Sequence, residues 1–302
     1  MKKQEMRPAH VIEIATPKKY VLNGLWFGPK KPKRTIVWVH GLTSSAFSMS
    51  NVVESLVDKN TAVVTFNNRG FGTINSIKRG VGKKSKSILA GAAHEVFIDS
   101  ADDIQGAIDF ARKAGIKNIY LAGHSTGCQK SIYWAKTKKG GRGVRGVILV
   151  APVSDYADAL KRNNKNGRLS RLTKIARAYV KQGRKHELLP IPAETFSWGP
   201  FFCDAQRYLS LYTANSSETI FSYEQPKKNP IILKSAKVPV LVLWAQKDEF
   251  ADRPAKEIAT WFEKHLKPRD SVVVIPRVGH GFKGGERTVA KSIRDFMLKP
   301  RQ

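Results

Sequence analysis

Short apolar runs alternate with amphipathic stretches along most of the chain. Thr35–Val39, Thr61–Phe66, Ile119–Ala122, Val147–Val150, Val238–Ala245 and Ser271–Pro276 have strand length and are mostly apolar, which predicts buried strands. Val11–Ala15 and Tyr20–Phe27 predict a starting antiparallel pair, closed off by the basic turn Lys30-Lys31-Pro32-Lys33-Arg34. Helical spacing runs through Met49–Leu56, Phe97–Ala114, Ala255–His265 and Arg287–Leu298. In the second of these, Ile98, Ala101, Ile104, Ala107, Ile108 and Ala111 share one face. Residues 67–93, rich in Gly, Ser and Lys, predict a long loop. The β-then-α rhythm predicts an α/β fold, a mostly parallel sheet with helices on both faces.

Chemistry enters where the strands end. Ile119–Ala122 leads into Gly123-His124-Ser125-Thr126-Gly127, a G-x-S-x-G pentapeptide, and a helix-compatible stretch follows from Cys128 to Lys136. Strand, tight turn and helix form the setting that exposes a serine hydroxyl as a nucleophile. The pentapeptide alone also reads as a Gly-rich turn with a surface serine, so its neighbours decide. Thr35–Val39 ends in His40-Gly41-Leu42-Thr43, where a sharp turn would aim the Leu42 amide, with that of Thr126, at an oxyanion beside Ser125. Val238–Ala245 is followed by Gln246-Lys247-Asp248-Glu249, and Ser271–Pro276 by Gly279-His280-Gly281. The order Ser125, Asp248, His280 gives nucleophile, acid and base as in α/β-hydrolases, not as in chymotrypsin or subtilisin. Glu249, Asp252 and Asp155 are further candidates for the acid. His40 and His124 read as supporting or packing residues, and His94, beside Glu95, as structural.

About 80 residues between the strands at 147–150 and 238–245 interrupt the rhythm. Their first part, Arg168–Lys185, predicts a helix with Leu169, Leu172, Ile175, Ala176, Tyr179 and Val180 on one side and six basic residues on the other. Their second part carries Phe196, Trp198, Phe201, Phe202, Tyr208, Tyr212, Phe221 and Tyr223. These aromatics predict either an apolar wall over Ser125, suited to an acyl or aryl group, or the insertion's own small core.

With these motifs, residues from about 20 to 298 resemble an α/β-hydrolase of the serine-hydrolase group. The elbow Gly123–Gln129, the later Ala151-Pro152-Val153-Ser154-Asp155 and Asp248-Glu249-Phe250 are similar to the uncharacterised-domain family whose fungal members include siderophore esterases. Asn67-Asn68-Arg69-Gly70-Phe71-Gly72 is similar to the D-x-R-G-x-G stretch of lysophospholipase-like and S33 aminopeptidase-like hydrolases, with Asn67 in place of the aspartate. The resemblance implies an α/β-hydrolase core over 1–154 and 237–302 and a cap insertion over 155–236. It implies a serine esterase acting through an acyl-enzyme, without metal or organic cofactor. S33-like peptidase or thioesterase chemistry is the alternative.

Composition narrows the class further. A chain of 302 residues, 41% of them hydrophobic, can bury a sizeable core. No apolar run reaches the roughly 18–20 residues that span a bilayer. Met1–Pro8 is charged with no apolar stretch behind it, so no signal peptide is expected. Two cysteines, Cys128 and Cys203, need not pair, and a reduced, cytoplasmic protein is expected. The net charge is +29, and Lys161–Lys185 holds ten basic residues and no acidic one. Such a run either solvates the surface or attracts anionic lipid or nucleic acid, so a non-catalytic binder of polyanions on a hydrolase fold is the second function class. The expected partner of the first class is a small-molecule ester with an apolar acyl or aryl group.

Overall fold

The computed structural model describes residues 8–80, 82–163 and 167–299. Met1–Arg7, most of the segment expected not to be a signal peptide, and Lys165 of the basic run lie outside the described residues.

The chain opens with β1 (His10–Ala15) and β2 (Tyr20–Phe27), then β3 (Arg34–Val39), α1 (Ser50–Leu56) and β4 (Thr61–Phe66). β5 (Asn75–Arg79) and β6 (Lys86–Ala90) follow, then α2 (Ser100–Lys113), β7 (Ile119–His124), α3 (Thr126–Thr137) and β8 (Val147–Val150). Between β8 and the next strand of the main sheet lie α4 (Asp155–Asn163), α5 (Arg168–Lys181), the hairpin β9 (Glu194–Phe196) and β10 (Gly199–Phe201), α6 (Ala205–Tyr212) and α7 (Ile231–Lys234). β11 (Val240–Ala245), α8 (Ala255–His265), β12 (Ser271–Ile275) and α9 (Glu286–Leu298) complete the chain.

The main sheet has ten strands. β12, β11, β8, β7, β3 and β4 run parallel in that spatial order. β1, β2, β5 and β6 add an antiparallel flank. Strand alternation feeds two cores. Val37 and Val39 of β3, with Val240, Val242 and Trp244 of β11, pack against α2, α3 and α8 through Ile104, Ile108, Ile132, Trp134, Ile258 and Phe262. Ile36 and Trp38, with Leu241 and Leu243, pack on the other face against α1 and α9 through Val52, Leu56, Val289 and Ile293. Consecutive side chains point to opposite faces, so a strand buried on both sides must be apolar throughout.

Three elements differ from the sequence expectation. Residues 67–93 are not a loop: they hold the β5–β6 hairpin, in register from Asn75↔Ala90 to Arg79↔Lys86 and joined to β2. Alternating polar side chains hid it, because Ile77 is the one side chain of β5 that is buried. The Phe97–Ala114 helix begins with a 3-10 turn over Phe97–Asp99, which rotates Ile98 off the predicted face, to 50% exposure. The basic helix stops at Lys181 rather than Lys185.

The insertion has its own core of Leu169, Leu172, Ala176, Phe201, Tyr208 and Leu211, joined by Ala92 and Ala93. Its last stretch packs elsewhere: Ile220, Phe221, Tyr223 and Leu233 join the first sheet core. Both cysteines are buried and free.

Candidate active site

The parallel strands bring their carboxyl ends to one edge, the usual location of sites in open α/β sheets. Ser125 follows β7 there with φ 55° and ψ −127°. A non-glycine residue at positive φ costs on the order of 1–3 kcal/mol and persists where its surroundings over-determine it. The surroundings here are glycines. A Cβ on Gly123 would lie 2.2 Å from the Gly127 carbonyl oxygen, and one on Gly127 would lie 2.3 Å from that of Val39. Helix α3 therefore approaches β7 and β3 at backbone contact, and the turn stands up between them. Ser125 N–H donates to Val150 O at 3.0 Å, fixing the elbow to β8. Thr126 is the first residue of α3, so its amide has no intrahelical acceptor.

The β3 turn closes over the serine. A Cβ on Gly41 would meet Ser125 Cβ at 2.9 Å and Oγ at 3.5 Å, and Leu42 and Thr43 line the same cavity as Ser125. His40, buried beneath this turn, has Nδ1 2.8 Å from Gly41 O and Nε2 3.3 Å from Asn68 N. The backbone N–H can only donate, so Nε2 accepts and the ring proton sits on Nδ1. Burial, then the Lys130 charge, lowers the His40 pKa to about 4.

His280 reaches the cavity from the loop after β12. Its Nδ1 lies 2.9 Å from Asp248 Oδ2, its backbone N–H donates to Glu249 Oε2 at 2.9 Å, and its ring meets the Phe250 ring edge-on at 4.7 Å. Among the described residues, Asp248 is the one candidate acid that touches the imidazole. Glu249 holds the main chain of the same histidine, Asp252 pairs with Arg253, and Asp155 accepts from Gln129 Nε2 at 3.1 Å. His124 Nε2–H donates to His280 O at 3.1 Å, and the two rings lie 4.8 Å apart. Burial and the neighbouring His280 lower the His124 pKa to about 3, leaving it a neutral donor. Ser125 and His280 line one cavity without a hydrogen bond between them. Such contacts often tighten only when substrate is bound.

The cavity is about 450 Å³. The insertion supplies Phe196, Trp198 and Tyr212 to its wall, and Phe250 and Met49 add to the apolar side. Phe196 and Trp198 stack at 4.5 Å and 15°. Of the other predicted aromatics, Phe201 and Tyr208 fill the insertion core, while Phe221 and Tyr223 lie in the sheet core. Asp155 and Asp158 also line the cavity. Burial, then the Glu218 charge, raises the Asp155 pKa to about 8, and burial raises that of Asp158 to about 6. At neutral pH Asp155 is largely a neutral acid, able to donate as well as accept. Among the described residues no three His, Cys, Asp or Glu side chains gather in a metal-binding arrangement.

The sequence reading missed a set of buried polar residues beside the site: Asn68, Glu95, Lys130, Arg207 and Glu218. The available signal was Lys130, placed among Cys128, Ile132 and Ala135 on the inner side of α3. His94 lies with Nδ1 3.1 Å from Asp204 Oδ2 and lines a different cavity, with Tyr20 and Arg69.

Solved structures share this architecture. The α/β-hydrolase GrgF from Penicillium aligns over 96% of this chain and 98% of its own, with a TM-score of 0.64 and 16% identity. An esterase from Pyrococcus furiosus aligns over 96% and 91%, at 0.60 and 17%. Est1E from Butyrivibrio proteoclasticus, solved with ferulic acid bound, aligns over 95% and 98%, at 0.60 and 19%. At these identities the likeness establishes the α/β-hydrolase fold. No curated protein sequence matches the chain. A family model described as protein of unknown function, DUF1749, matches residues 85–293.

Proposed function

The chain belongs to the DUF1749 family of proteins of unknown function and has the α/β-hydrolase fold, and from that premise we propose that it is a serine hydrolase of carboxylic esters. Ser125 is the nucleophile. His280 Nε2 takes its proton, and Asp248 holds the Nδ1–H tautomer and stabilises the imidazolium that forms. The Ser125 oxygen adds to the ester carbonyl. The resulting oxyanion is received by the amides of Leu42 and Thr126, each donor worth about 3–4 kcal/mol. His280 then protonates the departing alcohol, and water, deprotonated by the same histidine, releases the acid. The observation that carries this reading is the 2.9 Å contact between His280 Nδ1 and Asp248 Oδ2 in the cavity that Ser125 enters at positive φ.

The cavity favours compact esters with an apolar or aryl acyl group. Its volume suits a group of that size, and the Phe196–Trp198 stack offers a flat apolar face. Ferulic acid in Est1E is an aromatic acid on the same fold. The residues 155–236 act as the cap that supplies this wall. Hydrolysis of p-nitrophenyl butyrate and p-nitrophenyl benzoate tests the reading: activity on the wild type falls by at least about 10³-fold in Ser125→Ala. Undiminished turnover in that variant would refute it.

A second role, weak electrostatic association with anionic lipid or nucleic acid, is favoured by one observation. Arg171, Lys174, Arg177 and Lys181 stand exposed along α5 and form no ion pair with a described residue.

A further inference from the structure

Four oppositely charged side chains are sealed inside the molecule behind the oxyanion turn: Lys130, Glu95, Arg207 and Glu218, none more than 4% exposed. Lys130 Nζ lies 2.6 Å from Glu95 Oε1, Arg207 Nη2 lies 3.0 Å from Glu95 Oε2, and Arg207 Nη1 lies 2.5 Å from Glu218 Oε2. Two cations and two anions balance. Desolvating such ions costs several kcal/mol each, and apolar replacements of similar size are often no less stable. Stability alone is therefore a poor reason for a lysine on the inner face of α3.

The chain of contacts has two ends. One lies in the insertion: Arg207 belongs to α6, and Glu218 also accepts from Ser210 Oγ at 2.7 Å. The other lies at the oxyanion turn. Lys130 Nζ donates to Asn68 Oδ1 at 3.3 Å, and that oxygen also accepts from Gly70 N at 2.9 Å. Asn68 N–H donates to His40 Nε2, and His40 Nδ1–H donates to Gly41 O. Gly41 O and Leu42 N–H belong to one planar peptide. Whatever fixes that carbonyl also aims that amide. Lys130 contributes twice, by seating Asn68 and by adding its charge to burial, the larger cause, in disfavouring protonated His40, which could not accept from Asn68.

We propose that Arg207 is a positioning residue for the oxyanion hole: through Glu95, Lys130 and Asn68 it fixes His40, and through His40 the Gly41–Leu42 peptide. Helix α6 of the insertion and the oxyanion-binding amide then move as one unit, and closure of the wall over substrate is coupled to assembly of the hole. The proposal rests on the assignment of Leu42 as an oxyanion donor. The test measures that coupling directly.

The variant Arg207→Met/Glu218→Gln removes one cation and one anion and leaves Lys130–Glu95 paired. Two readouts are compared with wild type: steady-state hydrolysis of p-nitrophenyl butyrate, and amide hydrogen exchange of the segment containing Gly41–Thr43. The expected result is a fall of kcat by about 10–100-fold, the scale of a misplaced catalytic group, with KM changed less than about twofold. Exchange at 41–43 quickens while β3 and β7 exchange as in wild type. In a His40→Asn background the same pair produces little further loss of kcat, and Arg207→Lys restores part of it. Wild-type kcat and wild-type exchange at 41–43 in a folded variant would overturn the proposal, as would fully additive losses with His40→Asn. If the paired variant does not fold, Arg207→Lys and Glu218→Gln are read singly by the same criteria. If wild type hydrolyses no ester, the serine-hydrolase reading fails on its own and the exchange comparison decides the coupling: quickened exchange sustains it, unchanged exchange overturns it.

Discussion

The Gly41 backbone packs so closely on Ser125 that a methyl group added at Gly41 would lie 2.9 Å from Ser125 Cβ. Gly41→Ala should push the serine out of line and lower kcat/KM by about 10²-fold while far-ultraviolet dichroism stays as in wild type. His124 offers a prediction on pH. Its pKa of about 3 in the folded protein lies well below the roughly 6.5 of an unfolded histidine. Between these values the unfolded chain takes up a proton that the folded chain refuses, so this residue's contribution to stability is lost as pH falls from about 6.5 towards 3. His124→Gln escapes that loss. Urea unfolding of both proteins should show the variant gaining relative to wild type by about 2 kcal/mol between pH 7.5 and pH 5, and parallel pH profiles would contradict the buried neutral state. At this scale the placement of the candidate residues was largely legible. Ser125, Asp248 and His280 each follow a strand in a short turn, so local pattern and order locate them. Glu249, weighed as the acid, instead holds the His280 backbone, a distinction between two adjacent carboxylates that spacing cannot make. Lys130, Glu95 and Arg207 were illegible as a set because 35 and 112 residues, counted from 95 to 130 and from 95 to 207, separate partners that only the tertiary fold brings together.

Element by element, the inner parallel strands were read correctly because burial on both faces leaves unbroken apolar runs, whereas β12, expected to be buried, is an edge strand with only Ile275 fully buried. The β5–β6 hairpin was missed for the opposite reason: it pairs at the flank of the sheet with Lys78, Arg79, Lys86 and Ser87 exposed, which reads as loop. The insertion's aromatics divided three ways, into cavity wall, local core and sheet core, and hydropathy is the same in each. Helix α5 carries its own prediction. Replacing Arg171, Lys174, Arg177 and Lys181 with glutamine should lower the salt needed to release the protein from heparin resin and leave p-nitrophenyl butyrate hydrolysis unchanged. A control with Lys83, Lys84, Lys138 and Lys139 replaced removes the same charge elsewhere. Equal elution of the two variants would assign the binding to net charge and not to the helix.

Across the whole molecule, one sheet edge collects the turns after β3, β7, β8, β11 and β12, and the insertion covers that edge with an aromatic wall. The net charge is +29, while among the described residues the cavity is lined by the carboxyl groups of Asp155, Asp158 and Glu249 and by no Lys or Arg. The exposed basic side chains of α5 and the cavity beside Ser125 thus lie on different parts of the chain. The central claim is that this edge activates Ser125. The most direct measurement treats the folded protein with a fluorophosphonate and maps the adduct by peptide mass spectrometry. The expected result is a single adduct on Ser125, absent in Ser125→Ala and formed far more slowly in His280→Ala. Folded wild-type protein that stays unmodified, or an adduct on another residue, would contradict it.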